Sequence, residues 1–457
     1  MKRHIFNSVK KIRGMDAFSM PGHKSKDVFD FDFEDDITEV MGTDNLLNPS
    51  ECILESEKEM AEIFNVRESF YMVNGSTGAI HVAISCCTKP SDRILIMRNC
   101  HKSVYNALVL NNLNVDYIYP VYNKKYNLFT GINLDDLDRL MMENSYKAVV
   151  VTSPTYFGMI LDIKKISEIV HSHGAYLIVD EAHGTHLSFT DLNKYSAVNY
   201  ADFTVHSTHK TTPSLTQSAI LHCNSSDFTR EFILKRINLF LSTSPSYLLT
   251  QSSEFAVYYM EKYGNNLYER NLKLIRQMKS RLSSKIKFFN GDEYDKSFIA
   301  LDESKILFGI EGMTGQDIVK YLFLRYNIRL EMGDLDYALA LSSVCDEEAD
   351  FKNLEKALEE LSKDAVISDT GYAYIDFIRP ECVLKPAEAF YMDSFYCNLD
   401  NAAGKISAGI VAAYPPGIPI LSYGERITKV IIDNIKKYTD AGIEVIGIEN
   451  GRIEVLV

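Results

Sequence analysis

Lys210 closes the stretch ADFTVHSTHK, residues 201–210. An apolar, strand-like run over 203–205 leads into His206, Ser207, Thr208 and His209, and the lysine follows. An amine held just beyond a buried strand can lose its proton by desolvation and attack a carbonyl, forming a Schiff base with an aldehyde. Upstream, AYLIVDEAHG (175–184) has the same build: an apolar strand over 176–179 delivers Asp180 at its C-terminal end. A carboxylate there can pair with a protonated ring nitrogen. A lysine after a strand, or an aspartate ending one, is common on its own. The two in this order, each at the end of an apolar strand, are far more specific.

Further polar clusters suit the same site. NGSTGA (74–79) lies between a strand and a helix, where small residues let the backbone approach an anion. The first N–H groups of that helix and the hydroxyls of Ser76 and Thr77 would hold a phosphate. RNCHKSV (98–104) sets His101 beyond another strand end, where a flat imidazole could stack on an aromatic ring. Ser207 and His209 flank Lys210 and could reach the phosphate. His183, three residues after Asp180, could line the same pocket. Amine, carboxylate, phosphate cradle and stacking ring together point to pyridoxal 5'-phosphate (PLP) chemistry. The histidine pairs His171/His173, His183/His186 and His206/His209 invite a metal reading, but no HExxH or clustered CxxC accompanies them, and no metal is expected.

These residues need an α/β framework. Strands are expected over 70–73, 93–97, 115–119, 148–152, 176–179, 203–205 and 219–223. Helices are expected over 79–87, 103–110, 134–142 and 163–173, with 74–78 as a turn. Strands separated by helix-sized segments imply a mainly parallel sheet with crossovers, with ligands beyond the carboxyl ends of its strands. Residues 227–283 follow as a long helical region broken by STSPSY (242–247). The expected domains are an N-terminal arm over 1–50, a large domain over 51–284 and a smaller α+β C-terminal region over 285–457, divisible near 365. The chain ends in a helix and a hairpin.

Composition narrows the classes. The chain has 457 residues, 46% hydrophobic and 24% charged, enough for a large core. A net charge of -14 argues against a general nucleic-acid binder. No apolar run approaches the roughly 20 residues that span a bilayer, so no membrane is expected. The N-terminus is basic without a signal peptide's apolar core. Eight cysteines without framework spacing read as the reduced thiols of a cytoplasmic protein.

Taken together, MPGHK, VNGSTGAI, RNCHKSV, TSPTYFG, VDEAHGTH, HSTHK, STSPSY and YPPGIP with GERI resemble the Orn/Lys/Arg decarboxylases. These are PLP enzymes of the aspartate aminotransferase-like fold, fold type I. The motifs span residues 20–427 in the family's order, and the chain is similar to the short form without an N-terminal wing domain.

The resemblance implies that Lys210 is the Schiff-base lysine, Asp180 pairs with the pyridine nitrogen and His101 stacks on the ring. It assigns Ser76, Thr77, Ser207 and His209 to the phosphate, and sets Ala182 and His183 beside the ring. Ser242 of STSPSY would reach a neighbouring subunit's phosphate, so a homodimer or larger assembly with its site at the interface is implied. The implied reaction is decarboxylation of a basic amino acid, with Lys210 or a histidine such as His209 protonating Cα. L-Arginine giving agmatine and CO2 is the choice here, because short-form relatives lean that way. Lysine and ornithine, giving cadaverine and putrescine, are the alternatives. Asn45, where the family usually has an acid, and Tyr423, where a proline is common, depart from the pattern near the substrate pocket. Asp44, Glu381, Glu388 and Asp393 are candidates for holding the substrate's basic end. Two other readings remain open: an aminotransferase or lyase on the same fold, with Arg325, Arg329 or Arg379 as a carboxylate clamp, and a non-catalytic binding protein.

Overall fold

The structure, a computed structural model, describes residues 14–28, 35–364, 378–414 and 418–457. The basic N-terminal stretch, most of the acidic FDFEDD segment and the Pro-Pro-Gly of YPPGIP lie outside the described residues.

Seven strands form the central sheet, in the order Glu68–Met72, Ala219–Cys223, Phe203–His206, Tyr176–Asp180, Ala148–Thr152, Arg93–Met97, Asn114–Ile118. The inner strands RILIM, AVVVT and YLIVD are rich in branched apolar residues and almost wholly buried, as expected for a sheet covered on both faces. One face carries the helix Gly75–Cys87, whose Ala79, Val82, Ala83 and Ile84 are buried. The other carries Leu134–Glu143 and Ile163–Ser172, which bury Leu137, Met141, Ile166 and Val170. Asn133 and Asp162 accept backbone N–H bonds at the starts of these two helices, fixing where each begins.

Ala219–Cys223 departs from the expected direction. It runs antiparallel to both Phe203–His206 and Glu68–Met72. The segment after Lys210 is too short and irregular to make a helical crossover, so the chain turns back instead. The other neighbouring pairs are parallel. A second difference lies at 74–78. The helix starts at Gly75, so the expected turn is its first turn.

The helix Tyr247–Arg281 leaves the first core and enters a second. Its 35 residues span about 50 Å at 1.5 Å per residue. Met260, Leu272, Ile275 and Met278 pack there against a four-stranded sheet, ordered Ile286–Phe288, Lys305–Ile310, Ala338–Leu341, Met332–Gly333. The arm, expected to be irregular, adds a strand of its own: Asp16–Phe18 pairs in parallel with Ile328–Leu330, and Phe18 is fully buried in this second core. A third core gathers Leu399, Val411, Leu421, Ile431, Ile435, Ile453 and Val455 around the helix Lys429–Asp440.

Candidate active site

Parallel register brings the two central residues together. Asp180 pairs with Thr152 on one side and Val205 on the other, so the ends of three strands lie level. After His206 the chain enters the short helix Thr208–Thr211, which presents Lys210. The Lys210 charge acts on Asp180 and the Asp180 charge on Lys210, across neighbouring strand ends. Burial raises the Asp180 pKa above its usual value, and the Lys210 cation and the Ala182 N–H, 3.1 Å away, offset part of that. Burial lowers the Lys210 pKa, against the pull of Asp180 and Glu331. Lys210 Nζ lies 3.1 Å from His183 Nε2.

The remaining predicted residues surround this pair unevenly. His101 caps the helix Lys102–Leu110, its Nδ1 accepting the Ser103 N–H at 3.2 Å. Desolvation, then the Lys210 charge, lowers its pKa to about 4. His209 is turned toward the Ser218 carbonyl, 2.9 Å from its Nδ1, and burial lowers its pKa to about 4. Ala182 is buried beside Asp180. Ser207 is fully buried, and its hydroxyl makes no hydrogen bond. Ser76 is half-buried and Thr77 exposed on the first turn of their helix, which has no side-chain cap. Gly75 approaches the Gln217 carbonyl, one residue from the His209 contact. Ser242 is exposed, its hydroxyl accepting the Ser244 N–H at 3.3 Å.

An open helix start, an unsatisfied buried hydroxyl, a buried carboxylate and an amine are what a phosphorylated, nitrogen-containing aldehyde requires. The residues present fit such a group.

Three side chains were not anticipated. Glu331 accepts the Met20 N–H at 2.7 Å and the Tyr156 hydroxyl at 2.9 Å, and its charge reaches Lys210. Tyr156 packs edge-on against His183, ring centroids 5.1 Å apart. Lys305, 2% exposed, donates to the carbonyls of Thr155 at 3.1 Å and Tyr156 at 3.0 Å. Tyr156 lies in the TSPTYFG motif, and a lysine opening the apolar strand KILFGI was a visible oddity. Glu331 left no local signal. Of the acids expected to meet the substrate, Asp44 is committed elsewhere: it accepts the N–H groups of Asn45, Ser50, Glu51 and Ile53 at 2.8 to 3.1 Å, holding the start of the helix Cys52–Phe64. Glu381 pairs with Arg426 at 2.7 Å, and Glu388 lies 3.9 Å from Lys385.

The sequence matches the description "Orn/Lys/Arg decarboxylase, major domain" over residues 7–320 and the corresponding C-terminal domain over 372–450. The chain belongs to the Orn/Lys/Arg decarboxylase family. It is a carboxy-lyase by that membership. An arginine decarboxylase of Bacillus subtilis is 32% identical over 458 residues, covering 96% of this chain and 94% of that protein. Among solved structures, a lysine decarboxylase of Francisella novicida shares the fold with a TM-score of 0.79 at 22% identity, covering 90% of this chain and 73% of that one. The ureidoglycine-glyoxylate aminotransferase of Bacillus subtilis shares it more loosely, with a TM-score of 0.54 at 15% identity over 70% of this chain and 87% of that one. The fold is therefore that of the fold-type I enzymes, as the motifs imply. All eight cysteines are unpaired. No helix among the described residues is long and apolar enough to cross a membrane.

Proposed function

We propose that this decarboxylase acts on L-arginine, releasing CO2 and agmatine, with PLP attached covalently to Lys210. The observation that carries the reading is that Asp180 ends level with Val205 on neighbouring parallel strands, just before the segment that presents Lys210, with each charge acting on the other. Relatives named arginine decarboxylase, 30–32% identical over most of the chain, support the substrate. When bound, PLP supplies an electron sink for the pair left on Cα by the departing carboxylate.

The protein's own residues prepare that chemistry. Asp180 would keep a proton on the ring nitrogen, since its burial favours a shared proton over a bare carboxylate. Ser207, His209, Ser76, Thr77 and the start of the helix Gly75–Cys87 would take the phosphate, and His101 one ring face. Ala182 and His183 would wall the pocket. Desolvation makes Lys210 easier to deprotonate and so a better nucleophile. The second core contributes a carboxylate, Glu331, whose charge acts on Lys210. An aminotransferase needs a clamp on the substrate carboxylate; a decarboxylase must expel that group. Ser242 is exposed on its own chain, which suits a reach into a partner's site in a homodimer. The unpaired cysteines suit a cytoplasmic setting.

The test is a product assay with PLP added and arginine, lysine and ornithine supplied side by side. CO2 and agmatine from arginine, with kcat/KM well above that for the other two, is the expected result. Lys210→Ala should lose both covalent cofactor and turnover.

A further inference from the structure

Three imidazoles lie within electrostatic reach of Lys210. His101 uses its Nδ1 to accept the Ser103 N–H of the helix it caps. His209 is anchored through Nδ1 to the Ser218 carbonyl. Of the three, His183 touches the amine itself, Nε2 to Nζ at 3.1 Å. It is 7% exposed, and among the described residues its Nδ1 has no hydrogen-bond partner.

Its orientation is fixed from two sides. The Tyr156 ring packs edge-on against it, while the Tyr156 hydroxyl is held by Glu331 and the Tyr156 carbonyl by Lys305. The turn that carries it is equally constrained. Glu181, fully buried, accepts bonds from Ser196 Oγ at 2.7 Å, the Ala197 N–H at 2.9 Å and His206 at 2.8 Å. A Cβ on Gly184 would lie 2.6 Å from Pro154. The imidazole is thus a rigid fixture aimed at one nitrogen.

We propose that His183 is the catalytic residue that takes the proton from Lys210 Nζ and returns it. In the forward step the Nζ–H bond breaks and its electron pair stays on Nζ. The proton joins the lone pair of His183 Nε2, giving an imidazolium. The reverse step restores both groups. The proposal rests on the reading of Lys210 as the lysine that binds PLP covalently. Burial, followed by the Lys210, Lys305, His209 and His101 charges, lowers the His183 pKa well below its ordinary value. The ring therefore rests neutral, with Nε2 free to accept. The Asp180 and Glu331 carboxylates act electrostatically on Lys210.

The experiment follows cofactor loading rather than turnover. Apo-protein is mixed with PLP across a pH series, and the covalent adduct is followed by its visible absorbance and, after borohydride reduction, by the mass of the Lys210 peptide. Non-covalent PLP affinity is measured separately in the Lys210→Ala background. His183→Gln keeps a hydrogen-bonding side chain but cannot carry a proton. It should slow adduct formation by at least about tenfold near neutral pH, within the usual scale of proton-transfer catalysis, while non-covalent affinity falls by a clearly smaller factor than the rate. His183→Ala should be slowed as much and partly restored by added imidazole. A wild-type loading rate in His183→Gln overturns the proposal. So does a loss of affinity as large as the loss of rate, or an alanine variant that imidazole fails to restore. An adduct that still forms in Lys210→Ala overturns instead the reading of Lys210 on which the proposal rests.

Discussion

Arg98 and Glu425 face each other in a two-pronged ion pair, with N–O distances of 2.6 and 2.9 Å. Arg98 follows the sheet strand Arg93–Met97; Glu425 belongs to the GERI motif some three hundred residues later. The carboxylate is fully buried, also accepts the Ser422 N–H at 2.8 Å, and the guanidinium lies 4.7 Å from the centre of the Tyr117 ring. Removing one partner leaves a buried charge unpaired. Glu425→Ala should therefore cost about 3–5 kcal/mol of stability in urea titrations. The double variant Arg98→Met, Glu425→Leu should recover a large part of the loss, because no stranded charge remains.

Lys305 predicts a pH dependence. Burial lowers its pKa to about 7 from the ordinary 10.5, with Asp302 and Glu331 opposing and Lys210 reinforcing the fall. Between those two values the unfolded chain holds a proton that the native protein has released. Native stability therefore rises with pH across this window, by at most about 1.4 kcal/mol per unit. Lys305→Met removes the contribution. Between about pH 7 and about pH 9 the unfolding free energy of the wild type should gain about 2 kcal/mol relative to that variant, as read from paired denaturation curves.

Gly22 has no room for a side chain. A Cβ there would stand 2.6 Å from the Thr212 carbonyl oxygen and 3.0 Å from the Thr212 nitrogen, both backbone atoms. Gly22→Ala should destabilise the protein by about 1–3 kcal/mol. Because Thr212 lies two residues from Lys210, cofactor loading should slow as well. Thermal melting and the adduct absorbance check the two effects.

Asp44 separates structural from recognition acids. Its carboxylate is used on backbone N–H groups, which outweigh the effect of burial and hold its pKa below the usual value. Asp44→Ala should cost about 1–2 kcal/mol through the helix start it secures. The ratio of kcat/KM for arginine over lysine should stay within about twofold of wild type, as steady-state assays of both substrates would show.

The framework was legible where local pattern decides it. The strands Arg93–Met97, Ala148–Thr152 and Ala219–Cys223 fall where apolar runs end in polar residues. The direction of Ala219–Cys223 was not legible, because strand pairing depends on how the intervening chain packs rather than on the strand's own residues. The helix start at Gly75 was masked by the turn-like composition of Asn74 to Gly78. Lys210, Asp180 and His101 stood out because each follows a strand in a recognisable motif. Glu331 did not, because it sits between two short strands of the second core, more than a hundred residues from Lys210 in sequence; Lys305 showed only as a lysine opening an apolar strand. Spacing from Asp180 placed His183 in the same pocket; its direct contact with Lys210 depends on the level strand ends and so was not legible.

Gly22 is tied on both of its backbone groups. Its N–H donates to the His209 carbonyl at 2.7 Å, and its own carbonyl accepts the hydroxyl of Ser343 in the second core. A single residue thus acts as a tendon between the segment carrying the reactive amine and the body carrying Glu331. Any displacement of that body against the large sheet would have to stretch this tie or carry the amine's anchorage with it.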